Sequence, residues 1–133
     1  MKKIIQNSIL TFALLLGVQT LFAQAKFEFE EEHYEFGDVK EGTIVEHSFN
    51  FKNVGDEDLQ IIRVNASCGC TTPEWTMTPI KPGESGSIKV KFDSNNRVGI
   101  ADKDIYIQSN AVLPNGEVGG RYQLKIKGNV LKN

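Results

Sequence analysis

Cysteine, histidine and tryptophan are scarce in this chain, and each shortage removes a class of function. Its 133 residues include two Cys, two His and one Trp. Two cysteines cannot make a disulfide-dense scaffold, nor fill a structural zinc site, which takes four ligands. The two histidines, His33 and His47, stand in no visible Ser-His-Asp or Cys-His-Asn arrangement, so hydrolase chemistry has no support. A surplus of positive charge is lacking too. The 15 Lys+Arg against 17 Asp+Glu give a net charge of −2, without the clustered cations that bind phosphate. Nucleic acid and anionic lipid are therefore not expected partners. Lys89, Lys91, Lys125 and Lys127 occupy alternate positions, as on a solvated sheet face.

A long apolar run is also missing. The one candidate, residues 9–16, ends at Gly17, Gln19 and Thr20, well short of the roughly 20 residues that cross a bilayer. With Lys2 and Lys3 before it and the small residues Ala23 and Ala25 after it, this start reads as a secretion signal. The signal covers residues 1–23, with cleavage after Ala23 or Ala25 and no transmembrane segment left behind. No Cys lies there to carry a lipid anchor. Lys2 and Lys3 are its only charges, so the exported part is more acidic than the whole. The expected location is the bacterial periplasm or the secreted space, where a disulfide is permitted.

What is present is period-two alternation with frequent turn residues. Phe27 and Phe29 alternate with acids, and Glu30-Glu31-Glu32 reads as a solvated edge. Residues 34–39 make a short strand, and residues 43–53 the clearest one. In the latter, Val45, His47, Phe49 and Phe51 share one face. Residues 59–65 follow, with an apolar slip between Ile61 and Ile62 that suggests a bulge. Residues 67–83 form the longest irregular stretch, containing Cys68, Cys70, Pro73, Trp75, Met77, Pro79 and Pro82. Further strands are expected at 86–92, 104–109 and 122–130. About seven strands spaced by turns predict an all-β, antiparallel, immunoglobulin-like sandwich over residues 27–131.

The ordered motifs strengthen that reading. Phe36-Gly37-x-Val39-x-x-Gly42, His47-x-Phe49-x-Phe51-x-Asn53-x-Gly55, Ser67-Cys68-Gly69-Cys70-Thr71-x-Pro73, Ile80-x-Pro82-Gly83 and Leu124-x-Ile126-x-Gly128 resemble the bacterial domain of unknown function 1573. The resemblance covers nearly all of the chain after the signal, and the Ser-Cys-Gly-Cys-Thr segment is its most specific part. It implies an immunoglobulin-like sandwich akin to major sperm protein and periplasmic pilus chaperones. Those relatives are mostly binding and scaffolding modules, not enzymes.

Cys68-Gly69-Cys70 is the pointed feature. An i, i+2 pair on extended backbone projects to one side, within reach of a disulfide. Three readings stay open: a local staple or inert buried pair, a thiol–disulfide exchange site, and two thiolates of a soft-metal site with His47 as a further ligand. His47 also fits a core or rim histidine bonded to a backbone carbonyl. Trp75 and Met77 either cover the end of the sandwich or form an exposed anchor for a partner. No catalytic residues and no cofactor are expected. The reading is a non-enzymatic binding or adaptor domain for another exported or envelope protein; the alternative is redox or copper or zinc binding at Cys68 and Cys70.

Overall fold

A computed structural model of the chain describes residues 23–133. Residues 1–22, which hold nearly all of the expected signal, lie outside the described residues. Eight strands follow: β1 (Phe27–Phe29), β2 (His33–Lys40), β3 (Ile44–Asn53), β4 (Ile61–Ala66), β5 (Thr71–Trp75), β6 (Ser85–Asp93), β7 (Gly99–Ser109) and β8 (Arg121–Leu131). They form two four-stranded sheets, ordered β1-β3-β6-β5 and β2-β8-β7-β4.

The all-β sandwich expected from the alternation is present, with two corrections. Among the described residues there are eight strands rather than about seven, because β5 runs through the stretch read as irregular. One pairing, β2 with β8, is parallel. The bulge expected near Ile61 and Ile62 is there, as a register shift between Ile61 and Arg63.

Alternation places the core where it was read. On β3, Val45, Phe49 and Phe51 turn inward to meet Ile88, Val90 and Phe92 of β6. From the other sheet come Ile105 and Ile107 of β7 and Leu124, Ile126 and Val130 of β8. Each such side chain, fully buried, contributes about 1.5–3 kcal/mol of hydrophobic free energy. Outward positions carry the charges. Lys125 bonds Asp102 at 2.9 Å and Asp104 at 3.3 Å. The Lys125 ammonium, hydrogen-bonded to Asp102, holds that carboxyl below its ordinary range, while the two carboxylates raise Lys125.

Asn53, fully buried at the end of β3, organises the entry of the chain. Its Nδ2 donates to the Glu57 and Ile80 carbonyls at 2.8 and 2.9 Å. Its Oδ1 accepts from the Gly55 and Lys26 amides at 3.0 and 3.3 Å. All four hydrogen-bonding positions of the amide are used, so its burial costs little. Gly55 lies so close to residues 24–26 that a Cβ there would collide with the Gln24 carbonyl.

Between β1 and β2 the chain changes sheets. Three residues, Glu30 to Glu32, carry it from the edge of the first sheet to the edge of the second. Side chains lock the crossing. The Tyr122 hydroxyl donates to Glu32 Oε1, and Phe29 and Phe27 crowd the Tyr122 ring at 5.0 and 5.4 Å between centroids, both backed by Phe51. Burial, and then the hydrogen bond to Glu32, push the Tyr122 phenol well above its ordinary value.

A phenol whose pKa is raised on folding stabilises the domain below the unfolded value, about pH 10, and loses that contribution as pH rises further. In a spectrophotometric titration of the native chain, part of the phenolate signal should therefore appear only with unfolding, and Tyr122→Phe should remove that late step. A phenolate signal fully developed before unfolding would show that the lock is absent.

Candidate functional site

The cysteine pair sits at another crossing, where β4 of the second sheet gives way to β5 of the first. Ser67 closes β4: its amide donates to Asp104 O at 2.9 Å and its hydroxyl accepts from the Asp104 amide at 3.1 Å. The chain then turns, with Thr71 N donating to Cys68 O at 3.3 Å. Asp93 N donates to Cys70 O at 2.9 Å, which starts β5 beside β6. Within this turn Cys68 and Cys70 are joined by a disulfide, with Cα atoms 5.3 Å apart. The two sulfurs differ in surroundings. Cys70 is buried in the core, Cys68 is half-buried against it, and Thr71 Oγ1 lies 3.7 Å from Cys70 Sγ and 3.9 Å from Cys68 Sγ.

His47 does not join them. In the first sheet His47 and Pro73 both pair with Val90, so Cys70 lies two strands across and three residues along from His47. At strand spacing and rise that is roughly 10 Å in each direction. The three proposed metal ligands are thus apart, and the two sulfurs are bonded to each other. Among the described residues no three His, Cys, Asp or Glu side chains converge on a metal-sized space.

His47 has a different setting from the expected backbone carbonyl. Its ring stacks on Tyr34 of β2 at 3.7 Å, with 6° between planes, and meets the edge of Phe49 at 4.8 Å. Its Nε2 faces Glu31 and reaches no other partner among the described residues. The histidine thereby ties β3 to the crossing segment and to β2. Trp75, at the end of β5, is half-buried against the core, whereas Met77 just beyond it is exposed. The pair divides: Trp75 covers the sandwich end, and Met77 projects from it.

The pairing of the strands shows which sheet edge is open to a partner strand, as residue-by-residue reading does not. The free side of β5 carries Pro73, which has no N–H to offer. β2 is broken by a register shift at Gly37, whose φ is +71°, and carries Glu35 and Asp38. β4 is short and bulged. β3 has none of these features. Its pairing with β6 runs without interruption from Ile44 to Lys52, while β1 covers only Phe51 to Asn53 on the other side.

Parity identifies the uncovered groups. Thr43 O accepts from Ser94 N, and Asn53 exchanges bonds with Gly83 and Glu84, so the odd residues bond toward β6. Asn50 O accepts from Glu30 N, and Val54 N donates to Lys26 O, so the even residues face β1. The N–H and C=O groups of Ile44, Glu46 and Ser48 accordingly point to the side that β1 has left. A shallow recess of about 580 Å³ lies farther along the same sheet, lined among others by Glu28, Phe29, Asn50, Phe51, Lys52 and Ser85. Its lining mixes charged and hydroxyl groups with two phenylalanines and lacks the mostly apolar walls of a small-molecule pocket.

Solved structures with the same arrangement place the chain among immunoglobulin-like domains. A protein of unknown function from Porphyromonas gingivalis W83 matches with a TM-score of 0.68 and 21% identity, over 85% of this chain and 51% of that one. The ASH/PapD-like domain 7 of human CEP192 matches with a TM-score of 0.66 and 10% identity, over 87% of this chain and 92% of that one. The Acinetobacter baumannii CsuC–CsuE chaperone–tip adhesion subunit complex matches with a TM-score of 0.57 and 12% identity, over 80% of this chain and 57% of that one. At these identities the likeness shows the fold alone. The chain spans about half the length of the Porphyromonas gingivalis protein. No curated protein sequence matches it. A family model matches residues 27–130, and the chain belongs to that family, described as Protein of unknown function (DUF1573).

Proposed function

We propose that this chain is an exported, non-enzymatic immunoglobulin-like binding domain that recruits another exported or envelope protein. The observation that carries the reading is the half-covered β3, a regular strand with paired neighbours on one side and open backbone groups on the other. Main-chain hydrogen bonds to such an edge are a common way to hold a partner. By analogy of fold, the chaperone in the CsuC–CsuE structure is in complex with a tip adhesion subunit, although fold alone assigns no function. Cross-linking in periplasmic and secreted extracts is expected to trap a specific protein on the chain. Failure to trap one in either fraction would overturn the reading.

Export requires a cleavage site compatible with the fold. Ala25 is in the core, and its carbonyl accepts from Val112 N at 2.9 Å. Gln24 bonds Asp56 through both its amide and its carbonyl, at 2.6 and 2.9 Å. Cleavage after Ala25 would remove all three bonds and a core residue; cleavage after Ala23 removes none of them. The intact mass of the exported protein should therefore correspond to Gln24 as the first residue. A chain beginning at Lys26 would contradict the assignment.

The unequal burial of the cysteines favours a second reading, disulfide exchange with an exported dithiol protein. An incoming thiolate reaches Cys68 Sγ, the more exposed sulfur. A mixed disulfide forms there, the Cys68–Cys70 bond breaks, and the electron pair leaves on Cys70 Sγ beside the Thr71 hydroxyl. The partner's second thiolate then displaces Cys68, leaving the partner oxidised and both cysteines reduced, with two protons transferred to them. Titration against a glutathione redox buffer should show two reversible thiols, with Cys68 alkylated faster than Cys70. A pair that stays bonded throughout that buffer range rules the exchange out.

A further inference from the structure

The open side of β3 is a slot with a floor. β1 runs beside Phe51–Asn53, and its line ends when Glu30 bonds Asn50 and the chain crosses to the other sheet. Along the continuation of that line, Ile44, Glu46 and Ser48 present their backbone groups. Below it lies β2, at the matching edge of the second sheet. Tyr34, Phe36 and Val39 of β2 turn toward the core but are only partly buried: from the first sheet His47 stacks on Tyr34 and Phe92 meets Phe36 at 5.6 Å between centroids, while β1 ends before it can cover the rest. Packed sheets stand about 10 Å apart, which is the room that one layer of side chains fills.

Acidic side chains stand along the slot, with Glu30 and Glu31 at one end and Glu46 in the middle of the open strand. Glu35 and Asp38 of β2 alternate with Tyr34, Phe36 and Val39 and face the other side of the second sheet. Lys89 and Lys91 approach Glu46 from the β6 side, each at 3.6 Å and each well exposed. Such exposed pairs are worth little, so Glu46 remains available to a further cation. Self-association is disfavoured by the same residue. A two-fold antiparallel pairing centred on this strand sets Glu46 opposite Glu46 of the second copy, and like charges directly opposed across strands repel.

We propose that this slot binds one extended segment of an exported protein, in which apolar residues alternate with Lys or Arg. The segment runs antiparallel to β3, along the line of β1. Its backbone pairs with Ile44, Glu46 and Ser48, its apolar side chains cover Tyr34, Phe36 and Val39, and its cations face Glu46. The inference deepens the binding-domain reading and rests on it. Six residues fill the stretch from Ile44 to Phe49, about 20 Å at strand rise, because Glu30 already occupies the place opposite Asn50.

The probe is a blocked six-residue peptide alternating Lys and Val, with a Glu–Val peptide of equal length as control. Added to the intact protein, the Lys–Val peptide should shift the amide resonances of Ile44, Glu46 and Ser48, and its binding should weaken as salt is raised. Ser48→Pro removes only an N–H that faces the slot, and proline is tolerated at a sheet edge. It should lower the peptide's affinity at least tenfold while the melting temperature holds. Glu46→Lys, which leaves the backbone untouched, should weaken the Lys–Val peptide and not the Glu–Val peptide. Equal binding to the wild type and to folded Ser48→Pro, or no shift along β3, overturns the proposal. If Ser48→Pro does not fold, Glu46→Lys decides: an undiminished affinity for the Lys–Val peptide overturns it. A cross-linked partner that still binds both variants removes the slot but leaves the binding-domain reading standing.

Discussion

A strand that leaves one sheet for another abandons the backbone groups it would have paired. This constraint governs the molecule at Glu30–Glu32, where the chain moves from the edge of the first sheet to the edge of the second. Pairing parallel with β8 satisfies β2 after the move. The even-numbered groups of β3 are what it leaves uncovered. Unpaired edge groups are tolerable only where water or a partner can reach them. The crossing is fixed from both sides: Tyr122 and the phenylalanines hold Glu32 and β1, while His47 holds Glu31 and Tyr34. A locked crossing keeps the slot in a constant shape, which lowers the ordering cost of binding.

Much of the fold was legible in the sequence because most strands bury only one face. Alternation on residues 43–53 correctly assigned Val45, Phe49 and Phe51 to the core, and the slip at Ile61 and Ile62 marked a real bulge. β5 was missed for a physical reason. Thr71-Thr72-Pro73 carries a proline and little apolar content, and proline in a strand is compatible only with an edge. The parallel pairing of β2 was equally hidden, since periodicity reports which face is buried and not which neighbour pairs.

The candidate site was less legible. The cysteines attracted notice because sulfur chemistry is visible in residue type; the crossing they occupy is not. His47 looked like a core histidine and lies on the inward face as read, but its partner is Glu31, sixteen positions earlier and in a run that resembled mere solvation. An open strand edge has no composition of its own. It is visible only once pairing is known, through what the neighbouring strands do not cover. The edge devices gave a partial signal: Pro73 on β5 and Gly37 on β2 mark protected edges, whereas residues 44–50 contain neither Pro nor Gly.

The most direct measurement is amide hydrogen exchange along β3 in the unliganded protein. If β1 leaves at Glu30 and nothing replaces it, exchange should alternate. Ile44, Glu46 and Ser48 should exchange quickly, while Val45, His47 and Phe49, bonded toward β6, should be protected, and protection on the even side should return at Lys52 beside β1. Uniform protection from Ile44 to Lys52 would contradict the account, because it would mean that the open side of β3 is already covered.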